Sequence, residues 1–204
     1  NSIAWEGPLV VLVNKMSASA TEIFSGAIKD YKRGLIVGDS RTFGKGTVLN
    51  MMQLERLLGF INRKFPAGSL RLESAMFFRI NGSSVQQLGV EPDIVLPSLT
   101  EHLEIGEMFS DNHLPWDSIK AQEYRLYDRL LDEKLPDLRK ASEKRINADQ
   151  EYQKLQKRIN RLEKQLAKKT ISLNEEKRWR EYLDEKELMD AEDLEDMPSP
   201  RNKN

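Results

Sequence analysis

VNKMSASATEIFSGAIKDYKRGLIVGDSRTFGKGTV, residues 13–48, runs from small hydroxyl residues into a helical pattern and closes on a lysine set between glycines. Just before and into it, Leu9, Val10, Val11, Leu12 and Val13 form a continuous, β-branched run, the pattern of a strand covered on both faces as in a parallel sheet. Leu35, Ile36 and Val37 repeat that pattern. Between the two, Ile23, Phe24, Ala27, Ile28 and Tyr31 recur at helical spacing, and Gly34 after Lys32 and Arg33 supplies the stop. This is a βαβ unit. Its right-handed crossover brings the loops after both strands to one sheet edge, where open α/β folds collect ligands.

Working outward, residues 47–58 and 70–80 are extended segments around a Pro66-Ala67-Gly68 turn. In the second, Leu70, Leu72, Met76, Phe78 and Ile80 alternate with Arg71, Glu73 and Arg79, which predicts a hairpin with one wet face. Asn81-Gly82 is a turn signal, and residues 89–95 are a last short strand closed by Pro97. A domain boundary is placed near Ser98. Beyond it, Tyr152, Leu155, Ile159, Leu162 and Leu166 step by three and four, a coiled-coil seam or long amphipathic helix packing against helices at 119–131 and 176–188. From residue 184 the chain turns acid-rich, then Pro-Ser-Pro, and is expected to fray. The division is thus 1–98, 99–188 and a flexible 189–204.

The 204 residues are enough for one full core or two modest domains. Through Ser98 there are 11 Lys and Arg against 8 acids, while the remainder carries a net −4, so neither half argues for nucleic acid by charge. The absence of cysteine excludes disulfides, thiol catalysis and cysteine metal sites. The longest apolar run, residues 8–13, is far too short for a membrane span. Starting at Asn1 with neither Met nor a leader pattern, the chain looks like an internal piece of a longer protein.

Ser17, Ser19 and Thr21 follow the first strand, and Lys45 follows the second. Neighbouring strands stand about 5 Å apart, so such loops can bring a lysine amine to a serine hydroxyl. Serine needs a base to take its proton, and a neutral lysine serves where its ammonium is poorly solvated. Bringing a lysine from about 10.4 to a working range near 7 to 8 costs roughly 4 kcal/mol, which burial must supply. The glycines beside Lys45 allow a tight backbone, and Phe43 helps exclude water. The helix starting near Thr21 aims N–H groups at the same place, and Ala20 N–H is the candidate oxyanion donor. Each feature alone has a plainer reading. Hydroxyl residues before a helix are commonly N-caps, a Gly-Lys-Gly lysine is commonly a turn residue, and Asp30 reads as a solvated polar position late in its helix. Ser25 and Lys29 read as the helix's polar flank.

Residues 9–48, together with FFRINGSSVQQLGVEPDIVLP at 77–97, resemble the carboxy-terminal processing peptidases, in the tail-specific protease branch. The resemblance covers about residues 5–97 and rests on the Ser-Ala-Ser-Ala-Thr-Glu and Phe-Gly-Lys-Gly-Thr-Val pair. It implies a Ser19 nucleophile, a Lys45 general base and a contribution from Asp30. It further implies a crotonase-like ββα core followed by an all-α region, protein substrates taken by their C-termini, and a periplasmic or envelope setting. Three departures stand out. Leu49 replaces the glutamine that supports the lysine in the family, and Gln53, about 13 Å further along a strand, is a poor substitute. The loop Asp39-Ser40-Arg41-Thr42 is one residue longer, putting Arg41 in reach of Lys45. The upstream glycine-rich segment that supplies a second oxyanion donor and the PDZ domain are absent, so the isolated chain is expected to be nearly inactive.

Gly44-Lys45-Gly46-Thr47 has the wrong spacing for a phosphate loop, and His102 and His113 lack metal-site spacing, so no cofactor and no metal are expected. Asn81-Gly82-Ser83 matches a glycosylation acceptor but is first a turn. The reading is a serine endopeptidase core with a Ser19/Lys45 dyad, joined to a helical region that either shields the protease core or meets a protein partner. The alternatives are a non-catalytic scaffold that binds a partner through its helices, and a crotonase-like acyl-CoA enzyme, for which no separate pocket signal exists.

Overall fold

The computed structural model describes residues 5–55, 67–128 and 131–196, with side chains through residue 187. The elements are β1 (Val10–Val13), α1 (Ala20–Asp30), β2 (Leu35–Gly38), β3 (Thr47–Gln53), β4 (Ser69–Met76), β5 (Ile94–Val95), α2 (Leu131–Ala148), α3 (Gln150–Leu166) and α4 (Glu175–Asp196). Short 3-10 turns occupy Leu99–His102 and Glu107–Phe109. The chain forms two compact units, Asn1–Leu162 and Glu163–Asn204; α4 lies in the second. Among the described residues no helix is long and apolar enough to cross a membrane.

The βαβ unit forms as the apolar runs require. β1 and β2 pair in parallel, Val10 opposite Leu35 and Val13 opposite Gly38, and α1 is the crossover. β5 joins the other side of β2, also in parallel, so the order is β1-β2-β5. The expected cover on both faces is not seen: among the described residues β1 is an end strand of its sheet, with Val10 55 % and Leu12 74 % exposed, while Val13 and Ile36 are buried. The helix stop also differs. Lys32 takes the left-handed conformation (φ 55°), with Lys32 N–H donating to Lys29 O at 3.1 Å and Arg33 N–H to Ile28 O at 2.9 Å, a Schellman closure. Gly34 serves close approach instead, because a Cβ there would stand 2.5 Å from Leu9 O.

β3 and β4 form a separate antiparallel ribbon running from Thr47 opposite Met76 to Gln53 opposite Ser69. Residues 56–66 lie outside the described residues, so of the expected Pro66-Ala67-Gly68 turn only Ala67 and Gly68 are described, Gly68 with φ 81°. The second strand ends at Met76, earlier than expected; Phe78 continues only as a bridge to Ser84 across the Asn81-Gly82 turn. Residues 119–128 carry helical spacing but form no helix. Ile119 N–H donates to Gly82 O at 2.8 Å and Gln122 N–H to Ile80 O at 3.0 Å, so their amides satisfy a turn elsewhere rather than each other. The helices expected at 150–166 and 176–188 are present, and α4 runs on to Asp196, through the stretch expected to fray.

Just beyond β1 and β2, a polar network seats residues 99–102. Lys15, itself buried, donates from its main chain to Asp39 Oδ2 (2.9 Å) and from Nζ to Glu101 O (2.8 Å). Glu101 accepts from Ser40 N (3.1 Å) and Ser40 Oγ (2.7 Å), and Asp39 also accepts from Thr100 Oγ1. Partial burial opposes ionisation of Glu101, but the Ser40 hydroxyl and N–H, with the Lys15 ammonium, outweigh it and hold its carboxyl below the ordinary value.

Candidate active site

Ser19 and Lys45 follow the carboxyl ends of β1 and β2, the edge the crossover selects. Ser19 immediately precedes α1 with φ 55° and ψ −110°, a conformation that costs a non-glycine residue about 1–3 kcal/mol. Its neighbours must therefore hold it there.

Glu22 does so. This side chain is fully buried, and four donors converge on its two oxygens. Oε2 accepts from Ser19 N at 2.8 Å and Lys45 N at 2.9 Å; Oε1 accepts from Thr42 Oγ1 at 2.5 Å and Gly44 N at 2.6 Å. Thr42 is fixed in turn, since its Oγ1 accepts from Val90 N at 2.8 Å and must point its own proton at Glu22. Phe43 N–H donates to Ser17 O at 2.9 Å, a second tie between the loops. The main-chain nitrogens of the candidate nucleophile and the candidate base thus share one carboxylate oxygen.

The glycines flanking Lys45 are required by packing. Gly44 has φ 89°, and a Cβ on it would meet the Gln87 carbonyl group at 2.8 Å; one on Gly46 would meet Gln86 N and Ser84 Oγ at 2.8 Å. The buried Gln86 amide accepts from Gly46 N at 2.9 Å and donates to Leu114 O at 3.1 Å.

Lys45 Nζ lies 3.9 Å from Glu73 Oε1, and no hydrogen bond joins it to Ser19. The two main chains are brought together, but no hydrogen bond joins the two reactive side chains. Glu73 stands directly opposite Leu49 and accepts from the buried Thr47 Oγ1 at 2.7 Å. Arg41 contacts Met108 Sδ at 3.9 Å. Ala20 N–H, first of α1, has no helical carbonyl to bond, which leaves it available at the Ser19 end. Asp30 is at the other end of the helix, about 16 Å from Ser19 at 1.5 Å per residue. There it grips Arg79 through both carboxylate oxygens, with Nε at 2.9 Å from Oδ2, and accepts from Asn81 at 3.3 Å.

Glu22, Thr42, Gln86 and Glu73 were not identified from sequence. Glu22 had a signal, the serine three residues before it, but that pattern is also an ordinary capping box. The other three had none, because their partners lie far along the chain.

Residues 1–96 match the family model of Peptidase family S41, and residues 100–201 match the C-terminal domain of tail specific protease. The chain is 37 % identical over 174 residues to the tail-specific protease of Haemophilus influenzae, covering 83 % of this chain and 24 % of that protein. It is 40 % identical over 91 residues to the carboxy-terminal-processing protease of Bartonella bacilliformis, covering 45 % and 18 %. Among solved structures, the photosystem II D1 C-terminal processing protease is 39 % identical, covering 44 % of this chain and 20 % of that one, with a TM-score of 0.36. The chain spans about a quarter or less of the length of these relatives.

Proposed function

The chain belongs to Peptidase family S41, in its tail-specific protease branch, and on that premise we propose that it carries the nucleophile and base of a serine endopeptidase acting near the C-termini of proteins. Ser19 Oγ attacks the peptide carbonyl while Lys45 Nζ takes its proton; Ala20 N–H supports the oxyanion. The C–N bond then breaks, Lys45 returns the proton to the leaving amine, and water admitted to the acyl-enzyme regenerates Ser19. Asp30 acts at a distance, by fixing through Arg79 the far end of the helix whose start presents Ser19. A crotonase-like core, an envelope or periplasmic setting and a protein partner for the helical region belong to the same reading. So does near-inactivity of these residues on their own.

One observation carries this: Ser19 N and Lys45 N share Glu22 Oε2. A carboxylate buried for capping alone needs only the helix start; this one also ties in the lysine loop. A fluorophosphonate probe tests the reading. Labelling of the full-length protein that vanishes in Ser19→Ala and Lys45→Ala is expected; labelling that survives Ser19→Ala refutes it. The Lys45–Glu73 pair favours a second reading, a scaffold that performs no chemistry, and absence of labelling at every pH supports that one.

A further inference from the structure

We propose that Glu73 is a latch on the general base, holding the Lys45 ammonium on the β3–β4 ribbon so that the dyad assembles only when the pair opens; this rests on the dyad reading above. Strand alternation places Thr47 and Leu49 toward one face, and Lys45 lies two residues before the strand begins. On the partner strand the register steps from Val48 opposite Ala75 to Leu49 opposite Glu73, passing over Ser74. Without that bulge Glu73 would sit opposite Asn50 and point to the other face. The bulge therefore turns the carboxylate toward the lysine. Thr47 Oγ1 then fixes it, donating at 2.7 Å to the same Oε1 that lies 3.9 Å from Lys45 Nζ.

An ion-paired ammonium has no lone pair to offer a hydroxyl proton, so the pair must part before Ser19 can be activated. It is built to part. Both side chains are partly open to water, 25 % for Lys45 and 31 % for Glu73, a setting in which ion pairs are weak and screened by salt. The ribbon is also a sheet of its own, tied to the lysine loop by the Phe77 N–H to Gly46 O bond at 3.0 Å. Leu49, apolar and opposite Glu73, offers the carboxylate no competing donor.

The test is the rate of Ser19 labelling by an uncharged fluorophosphonate in the full-length protein, with Ser19→Ala as the control. In Glu73→Gln and Glu73→Ala the rate is expected to rise about two- to fivefold, the population shift available from releasing a partly exposed pair. Wild type is expected to speed up as ionic strength rises from about 0.01 M to about 1 M, over which the screening length shrinks from about 30 to about 3 Å; the variants are expected to respond little. Equal or slower labelling of the variants, or a salt response unchanged by Glu73→Gln, overturns the latch and leaves the dyad standing. No Ser19-dependent labelling in any form overturns both.

Discussion

Replacing Glu22 by glutamine changes one atom and almost no volume, yet the geometry makes it a severe substitution. Two donors bond each carboxylate oxygen, at 2.5 and 2.6 Å on one side and 2.8 and 2.9 Å on the other. A glutamine keeps one acceptor. Whichever way its amide turns, two donors face an NH2 group in a fully buried site. Thr42 can turn its second lone pair to the amide, since Val90 N–H uses only one, but its own proton then loses its acceptor. A buried donor left unpaired costs about 1–3 kcal/mol, so two cost roughly 2–6 kcal/mol, a large part of the 5–15 kcal/mol typical of a domain. Urea unfolding of Glu22→Gln should show the loss. Amide hydrogen exchange should locate it: protection of Gly44, or of Ser19 and Lys45 together, should fall by about a hundredfold, the equivalent of about 3 kcal/mol. Glu22→Asp should fail as well, its shorter arm reaching only one side. If Glu22→Gln unfolds within about 0.5 kcal/mol of wild type and these amides keep their protection, the carboxylate is not the joint between the loops.

Three further outcomes follow from the same contacts. Ser19→Gly removes the side chain that makes φ 55° costly; thermal unfolding should show it more stable by up to about 1 kcal/mol, while probe labelling disappears. Asp30→Asn leaves the part-buried Arg79 guanidinium without its charge partner and should cost about 1.5–3 kcal/mol in denaturant unfolding, with Ser19 labelling slowed wherever the protein is still folded. Glu101 is held below its ordinary value of 4.5, so its contribution to stability is present above that pH and is lost as pH falls through the lower folded value. Wild type should therefore outlast Glu101→Gln in urea at pH 7, and the gap should close on acidification below about 4.5.

How much of this was legible in advance depended on the range of the contacts. The βαβ unit was readable because apolar runs and helical spacing are local. Ser19, Lys45 and the need for glycine around the lysine were readable for the same reason. Residues 119–128 misled because their spacing is helical while their amides are claimed by the turn at Ile80 and Gly82, some forty residues earlier. Glu22 was passed over for a different reason. A capping box and a structural joint share one sequence pattern, and only the second loop arriving on the same oxygen separates them. Glu73 was invisible, because its position depends on a bulge that shifts a strand register and no residue in that strand announces it.

The loop between β2 and β3 is fastened at both of its halves, by different sets of side chains. Asp39, Ser40 and Arg41 are bound to Thr100, Glu101 and Met108, whereas Thr42, Gly44, Lys45 and Gly46 are bound to Glu22 and Gln86. An insertion or deletion among residues 39–41 is thereby expected to leave the main-chain spacing of Ser19 and Lys45 on Glu22 in place. A single residue added or removed between Thr42 and Gly46 has no such shelter.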